Sequence, residues 1–121
     1  PAPPRPTGPV LLGSGELDER VNIRTTGPSV YSVRTLVLAP GEDTGWHAHP
    51  GTELTIVASG RVVLLAEDAC DPVAFTAGST LAVPAEQVHL VRNDGGQPAE
   101  LVVTRLLTAG EPAEVGHPDA C

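Results

Sequence analysis

The sequence predicts an all-β fold, a small antiparallel barrel or sandwich, and three features of the chain predict it. Short apolar runs rich in Val, Leu and Thr recur at regular spacing, separated by turn residues in a chain with 13 Gly and 13 Pro. No stretch of ten residues carries convincing helical periodicity. The apolar content is aliphatic, with Trp46, Tyr31 and Phe75 the aromatic residues, which suits a barrel lined by β-branched side chains. At 121 residues the chain is one domain with a single core.

Each element follows from its residues. Residues 1–16 are rich in Pro, Gly and Ser, with four prolines among the first six, and read as an extended arm. Residues 17–108 are the barrel domain and 109–121 an irregular tail. Within the barrel, residues 19–26 begin a first strand, and residues 29–40 form a long strand closed by the Pro40-Gly41 turn. Residues 45–49 are extended. Residues 52–58 and 61–66 are apolar runs joined by Ser59-Gly60, which reads as a tight hairpin. Residues 72–76, 79–83 and 87–92 are short strands separated by Ala77-Gly78 and Pro84, and residues 99–107 are the last long strand after Asp94-Gly95-Gly96.

The charge balance narrows the partners. A net charge of −8 with 18% charged residues and no basic patch argues against nucleic acid and anionic membrane surfaces. The scarcity of aromatics argues against base or sugar stacking. No apolar run has the length of a membrane span, so no membrane insertion is expected.

The chemistry concentrates between Gly41 and Asn93. His47 and His49 are two apart in a segment too punctuated by Gly and Pro for a helix, so both imidazoles leave an extended strand on the same face. Glu53 follows after a short turn, and His89 arrives from a distant strand. Three imidazoles and one carboxylate are the donor set of a borderline divalent transition metal. Three of the four histidines of the chain belong to this set; the fourth, His117, lies in the tail and is expected to face solvent.

These residues resemble the two motifs of the cupin superfamily. Gly41, His47, His49, Glu53 and Gly60 fill the first, and Gly78, Pro84, His89 and Asn93 fill the second. Glu86 stands where the second motif has a glycine, at a turn that needs an unusual backbone angle. The resemblance covers roughly residues 29–108 and looks like that of small secreted bacterial cupins. It implies a double-stranded β-helix, a jelly-roll-like barrel, holding one divalent transition metal ion (Fe, Mn, Ni, Cu or Zn) on His47, His49, Glu53 and His89. It also permits a homodimer paired through its sheets.

Strand alternation extends the site. If Glu53 points inward, so do Thr55 and Val57; if His89 does, so do Gln87 and Val91. Gln87 is then a candidate substrate-binding residue. Tyr31 and Arg34 lie on opposite faces of their strand, so one of them at most reaches the cavity, and Arg105 is open in the same way. Trp46 alternates with the histidines and should point away from them. Asn93 is expected to shape the turn after the His89 strand.

Cys70 and Cys121 have no metal-site spacing and no adjacent histidine. A disulfide between them would tie the tail to the barrel and close a loop of about 50 residues, an effect of roughly 4 kcal/mol in the chain-entropy model. The other reading is two separate thiols in a reducing cytosol. The small secreted cupins that the chain resembles, with one mid-chain and one C-terminal cysteine, favour the disulfide and an extracytoplasmic location. The chain opens on Pro-Ala-Pro-Pro without a Met or a signal peptide, which reads as a mature remainder after processing or as a trimmed chain.

A metal with four protein ligands keeps positions for a small-molecule ligand or substrate. Three functions are consistent with that. The first is a metal-dependent, dioxygenase-like oxidoreductase acting on a small oxygenated organic molecule, with Glu53 also the candidate catalytic carboxylate. The others are a metal-dependent isomerase or lyase, and a non-catalytic extracytoplasmic metal- or ligand-binding protein.

Overall fold

The computed structural model describes residues 8–121, so the first seven residues of the predicted arm lie outside the described residues. Among the described residues nine strands run in chain order: β1 (Ser29–Leu38), β2 (His47–Ala48), β3 (Glu53–Ser59), β4 (Arg61–Ala66), β5 (Ala69–Thr76), β6 (Thr80–Val83), β7 (His89–Arg92), β8 (Ala99–Thr108) and β9 (Val115–Gly116). They form two antiparallel sheets, ordered β1-β8-β3-β6 and β5-β4-β7-β2-β9. The all-β expectation holds.

Period-2 alternation builds the core between the sheets. Val57 on β3, Val62 on β4, Leu81 and Val83 on β6, Val91 on β7, and Leu101 and Val103 on β8 meet there with Leu38 and Ala99. The alternate residues of β4 and β7 face the other way: Val63, Leu65 and Leu90 form a second cluster with Trp46, with Val88 and Ala120 packed against it. Trp46 therefore does point away from the histidines, and the C-terminal tail helps to cover it.

That tail is tied down at both ends of its course. β9 pairs with β2, His47 opposite Gly116 and Ala48 opposite Val115. A Cys70–Cys121 disulfide, with the two Cα atoms 5.8 Å apart, joins the last residue to β5. His117 is exposed as expected, and its backbone N–H donates to the Trp46 carbonyl at 3.0 Å.

Two strand expectations fail. Residues 19–26 form no strand; the arm's one bridge among the described residues is Glu16 to Ser79, after which Glu19, Val21 and Arg24 line a cleft beside Ala82, Pro84 and Ala85. The edge that this segment follows ends at Pro84, which has no N–H for a ladder. The second failure is the β3–β4 hairpin. β3 pairs with β6 and β8, whereas β4 pairs with β5 and β7, so the chain crosses from one sheet to the other at Ser59-Gly60. Gly60 has φ +80°, and a Cβ there would lie 2.6 Å from the Pro98 carbonyl oxygen. The glycine thus serves a close crossing and not a two-residue hairpin turn.

Glu86, in place of the motif's glycine, takes the left-handed conformation anyway, with φ 68°. Its N–H donates to the His49 carbonyl at 2.9 Å, which ties the turn to the histidine segment. A side chain in that region costs about 1–2 kcal/mol. The Glu86→Gly variant should therefore be more stable by about 1 kcal/mol, read as a higher denaturant midpoint at unchanged slope.

The disulfide spans a sequence separation of 51 residues and holds Ala120 on the Trp46 cluster. Cys121→Ser is expected to cost up to about 4 kcal/mol of stability. It should also shift Trp46 emission to the red as the tail loosens, measured by chemical denaturation and tryptophan fluorescence.

Candidate metal centre and its cavity

β2 and β7 bring two of the histidines together directly, because His47 and His89 are cross-strand partners. His49 follows β2 on the same inward phase. Its segment can press against the opposite sheet because Gly51 has no side chain: a Cβ there would lie 1.5 Å from the Leu106 carbonyl oxygen. The ligating atoms of His47, His49 and His89 all lie within 4.8 Å of one another, and all three residues are buried.

Each ring is oriented by the backbone close to it. Nδ1 of His47 donates to the Gly45 carbonyl at 2.8 Å, that of His49 to Gly51 at 2.7 Å, and that of His89 to Gln87 at 2.8 Å. A carbonyl oxygen only accepts, so the proton of each neutral ring sits on Nδ1 and the lone pair on Nε2. All three Nε2 atoms are buried without a hydrogen-bond partner. Three orphaned lone pairs converging on one point are costly in a protein interior. They are the arrangement that a divalent transition metal satisfies, with the backbone carbonyls as its outer support.

Glu53 enters from the opposite sheet. Its Oε1 lies 3.3 Å from His49 Nε2 and accepts from Arg105 Nε at 2.9 Å, while Oε2 accepts from the Thr55 hydroxyl at 3.0 Å. Glu53 and Arg105 are register partners of β3 and β8, so the pair is built into the strand pairing. Burial alone pushes the Glu53 carboxyl up, but the His49 imidazole in its protonated form and the guanidinium of Arg105 outweigh it and hold the pKa down at about 2. Burial dominates at His89 and pushes its pKa down to about 4, with the protonated forms of His47 and His49 adding to it and the Gln87 carbonyl and Glu53 opposing it. Glu53 is therefore ionised and His89 neutral near pH 7, the protonation states of metal ligands.

Beside this centre lies a cavity of about 360 Å³ whose lining includes His47, His89, Glu53, Thr55, Arg34 and Arg105. Of the two candidates on β1, Arg34 reaches it and Tyr31 stands exposed. Thr55, Val57 and Val91 are buried inward as alternation predicts. The half-buried Gln87 is absent from this lining; the structure uses its backbone carbonyl, which holds His89. Asn93 is fully buried and locks the turn, donating from Nδ2 to the carbonyls of Leu38 and Gln97 and accepting from the Gly95 N–H.

Glu114 is among the cavity residues that the sequence does not single out. Glu114 lies just before β9, and its Oε1 sits 3.2 Å from an Arg105 guanidinium nitrogen, 3.8 Å from Arg34 and 3.7 Å from His47 Nε2. It comes from a segment read as irregular tail, and no spacing signal marks it. Pairing of β9 with β2 is what brings it there.

A family model described as "Cupin domain" matches residues 34–105 of the chain. The chain is a cupin. No curated protein matches it. Among solved structures, the cupin is 29% identical to TT1209 from Thermus thermophilus, with a TM-score of 0.53 over 61% of this chain and 70% of that one. It is 26% identical to a sugar phosphate isomerase of the cupin superfamily from Silicibacter pomeroyi, with a TM-score of 0.56 over 64% and 51%. The DMSP lyase DddQ from Ruegeria pomeroyi aligns with a TM-score of 0.62 over 71% and 42% at 21% identity, a likeness of fold. The cupin spans about half the length of that isomerase and under half that of the lyase.

The two depressed pKa values set a pH dependence for the metal-free protein. In both cases the unfolded chain binds the proton at a higher pH than the folded one, so stability rises with pH. For His89 it should be lost as pH falls from 6.5 towards about 4, and for Glu53 from 4.5 towards about 2. Denaturant unfolding of chelator-treated protein at a series of pH values should show wild type losing more stability between pH 6.5 and 4 than His89→Gln.

Proposed function

We propose that this cupin binds one divalent transition metal ion through His47, His49 and His89, with Glu53 as the carboxylate ligand, and acts on a small oxygenated organic molecule in the adjoining cavity. The observation that carries this reading is the set of three buried, unpartnered Nε2 atoms facing one another. The first assignment is a dioxygenase-like oxidoreductase.

When bound, the ion would supply Lewis-acid or redox activation of a ligand at positions that the protein leaves open. The chain's own residues do the rest. The carbonyls of Gly45, Gly51 and Gln87 hold the three imidazoles in the tautomer that presents Nε2. Arg105 and Thr55 hold Glu53 ionised and orient its two oxygens. Val91, Leu101 and Val103 give the cavity an apolar wall that limits water and receives the carbon skeleton of a substrate.

A second reading, a metal-dependent isomerase or lyase, draws support from neighbours named as a sugar phosphate isomerase and a DMSP lyase. The disulfide supports an oxidising, extracytoplasmic setting for either. The two readings differ in the metal that they tolerate. Oxygen uptake by Fe(II)- or Mn(II)-loaded protein with enols, catechols or flavonols, lost on Zn(II) substitution, is the expected outcome for the oxidoreductase. Turnover that survives in Zn(II) protein would move the assignment to isomerase or lyase, and tight ligand binding without turnover to a binding protein.

Metal content tests the site itself. Elemental mass spectrometry of protein purified without tag or chelator should find about one transition metal ion per chain, and His89→Ala should lose it. Wild-type protein that stays metal-free after anaerobic reconstitution would falsify the metal reading.

A further inference from the structure

We infer that the cavity takes a small organic carboxylate, seated between Arg34 and Arg105 in the place that the Glu114 side chain of the protein itself holds. This deepens the functional reading above by naming the substrate class of the same site.

The buried Arg105 has its Nε committed to Glu53 at 2.9 Å, which leaves its terminal nitrogen, 3.2 Å from Glu114 Oε1, for a second anion. Arg34 adds a second guanidinium to that same oxygen at 3.8 Å. Planar guanidinium forks suit carboxylates in shape as well as charge. A carboxylate is already there, but it belongs to the chain. The other acidic side chains at the cavity are otherwise engaged: Glu42 accepts from the Ala39 N–H and Asp43 from the Gly45 N–H, both at 2.7 Å, and Glu53 is taken by Arg105 and Thr55.

Glu114 is the exchangeable member of this arrangement. Its side chain is 44% exposed, while its backbone segment is held independently by β9 on β2, by the His117 N–H on Trp46 and by the disulfide. The carboxylate can therefore swing to water without the strap letting go. An incoming carboxylate would take over the arginines at one end and lay its carbon skeleton on Leu101 and Val103 at the other. A volume of about 360 Å³ limits it to a small molecule. Glu114 then acts as a built-in competitor that keeps the arginines paired when the cavity holds no substrate and weakens the binding of anions that fit poorly.

The test is calorimetric titration with succinate, and with the uncharged succinamide, into metal-free and Zn(II)-loaded protein. Removing the internal competitor in Glu114→Gln should tighten succinate about tenfold, equivalent to about 1.4 kcal/mol. Succinamide should show no such gain, and adding Arg34→Gln should abolish it. Zn(II) content should not change. Glu114→Ala must give the same gain, which guards against an effect of the glutamine amide. Equal succinate affinity in wild type and both Glu114 variants, or an equal gain for succinamide, overturns the inference. So does loss of Zn(II) from Glu114→Gln, which would assign Glu114 to the metal. The metal-free arm separates the two readings: a wild-type protein that binds no metal overturns the metal assignment, while the carboxylate seat stands or falls on its own titration.

Discussion

The constraint on which the site depends is the cost of three imidazole lone pairs buried without partners. Carbonyls of Gly45, Gly51 and Gln87 take the Nδ1 protons of His47, His49 and His89, and thereby turn each Nε2 inward as an acceptor. Folding alone gains nothing from this; a hydrophobic core of Val and Leu would be more favourable at these positions. The surrounding structure holds the arrangement nonetheless. The bare backbone of Gly51 lets the His49 segment touch β8, Glu86 accepts a left-handed backbone to hold the His49 carbonyl, and Asn93 closes the turn beyond His89 from a fully buried position.

The barrel divides its labour by face. Its interior is apolar at the end lined by Val57, Val62 and Leu81, and polar at the end where His47, His49, His89, Glu53 and Arg105 meet. The buried ion pair of Glu53 and Arg105 links the two sheets' contributions, since His47 and His89 come from one sheet and the pair from the other. Buried pairs of this kind add little net stability, but removing one partner leaves an uncompensated charge. Arg105 thus fixes Glu53 beside the histidines and also presents a second guanidinium nitrogen to the cavity. Outside the barrel, the tail covers Trp46 and delivers Glu114 to the cavity mouth, so one tethered strap serves packing and site together.

Much of this was legible in the residues. The His-x-His pair, Glu53 and His89 could be placed on inward faces because side chains alternate along a strand, and the same rule put Thr55, Val57 and Val91 inside and Trp46 outside. The arm strand at residues 19–26 and the Ser59-Gly60 hairpin were misread for one shared reason. A strand needs a partner edge, and local composition does not say which edge is free. Val21 and Ile23 alternate like a strand, but their segment runs beside Pro84, and β3 and β4 flank a turn-like dipeptide yet belong to different sheets.

Residue type and spacing, then, carried by themselves the all-β class and the candidate ligands, and the two motifs carried the resemblance to cupins, because each depends on one strand or one motif. Tertiary structure alone decided that Arg34 faces the cavity and Tyr31 does not, that Arg105 meets Glu53, and that Glu114 reaches both arginines. It also joined Cys70 to Cys121, a pairing that the residues left open. The site contacts depend on the register between strands far apart in the chain: β3 against β8, and β9 against β2. Register is set by the simultaneous packing of both sheets, and no single segment carries that information.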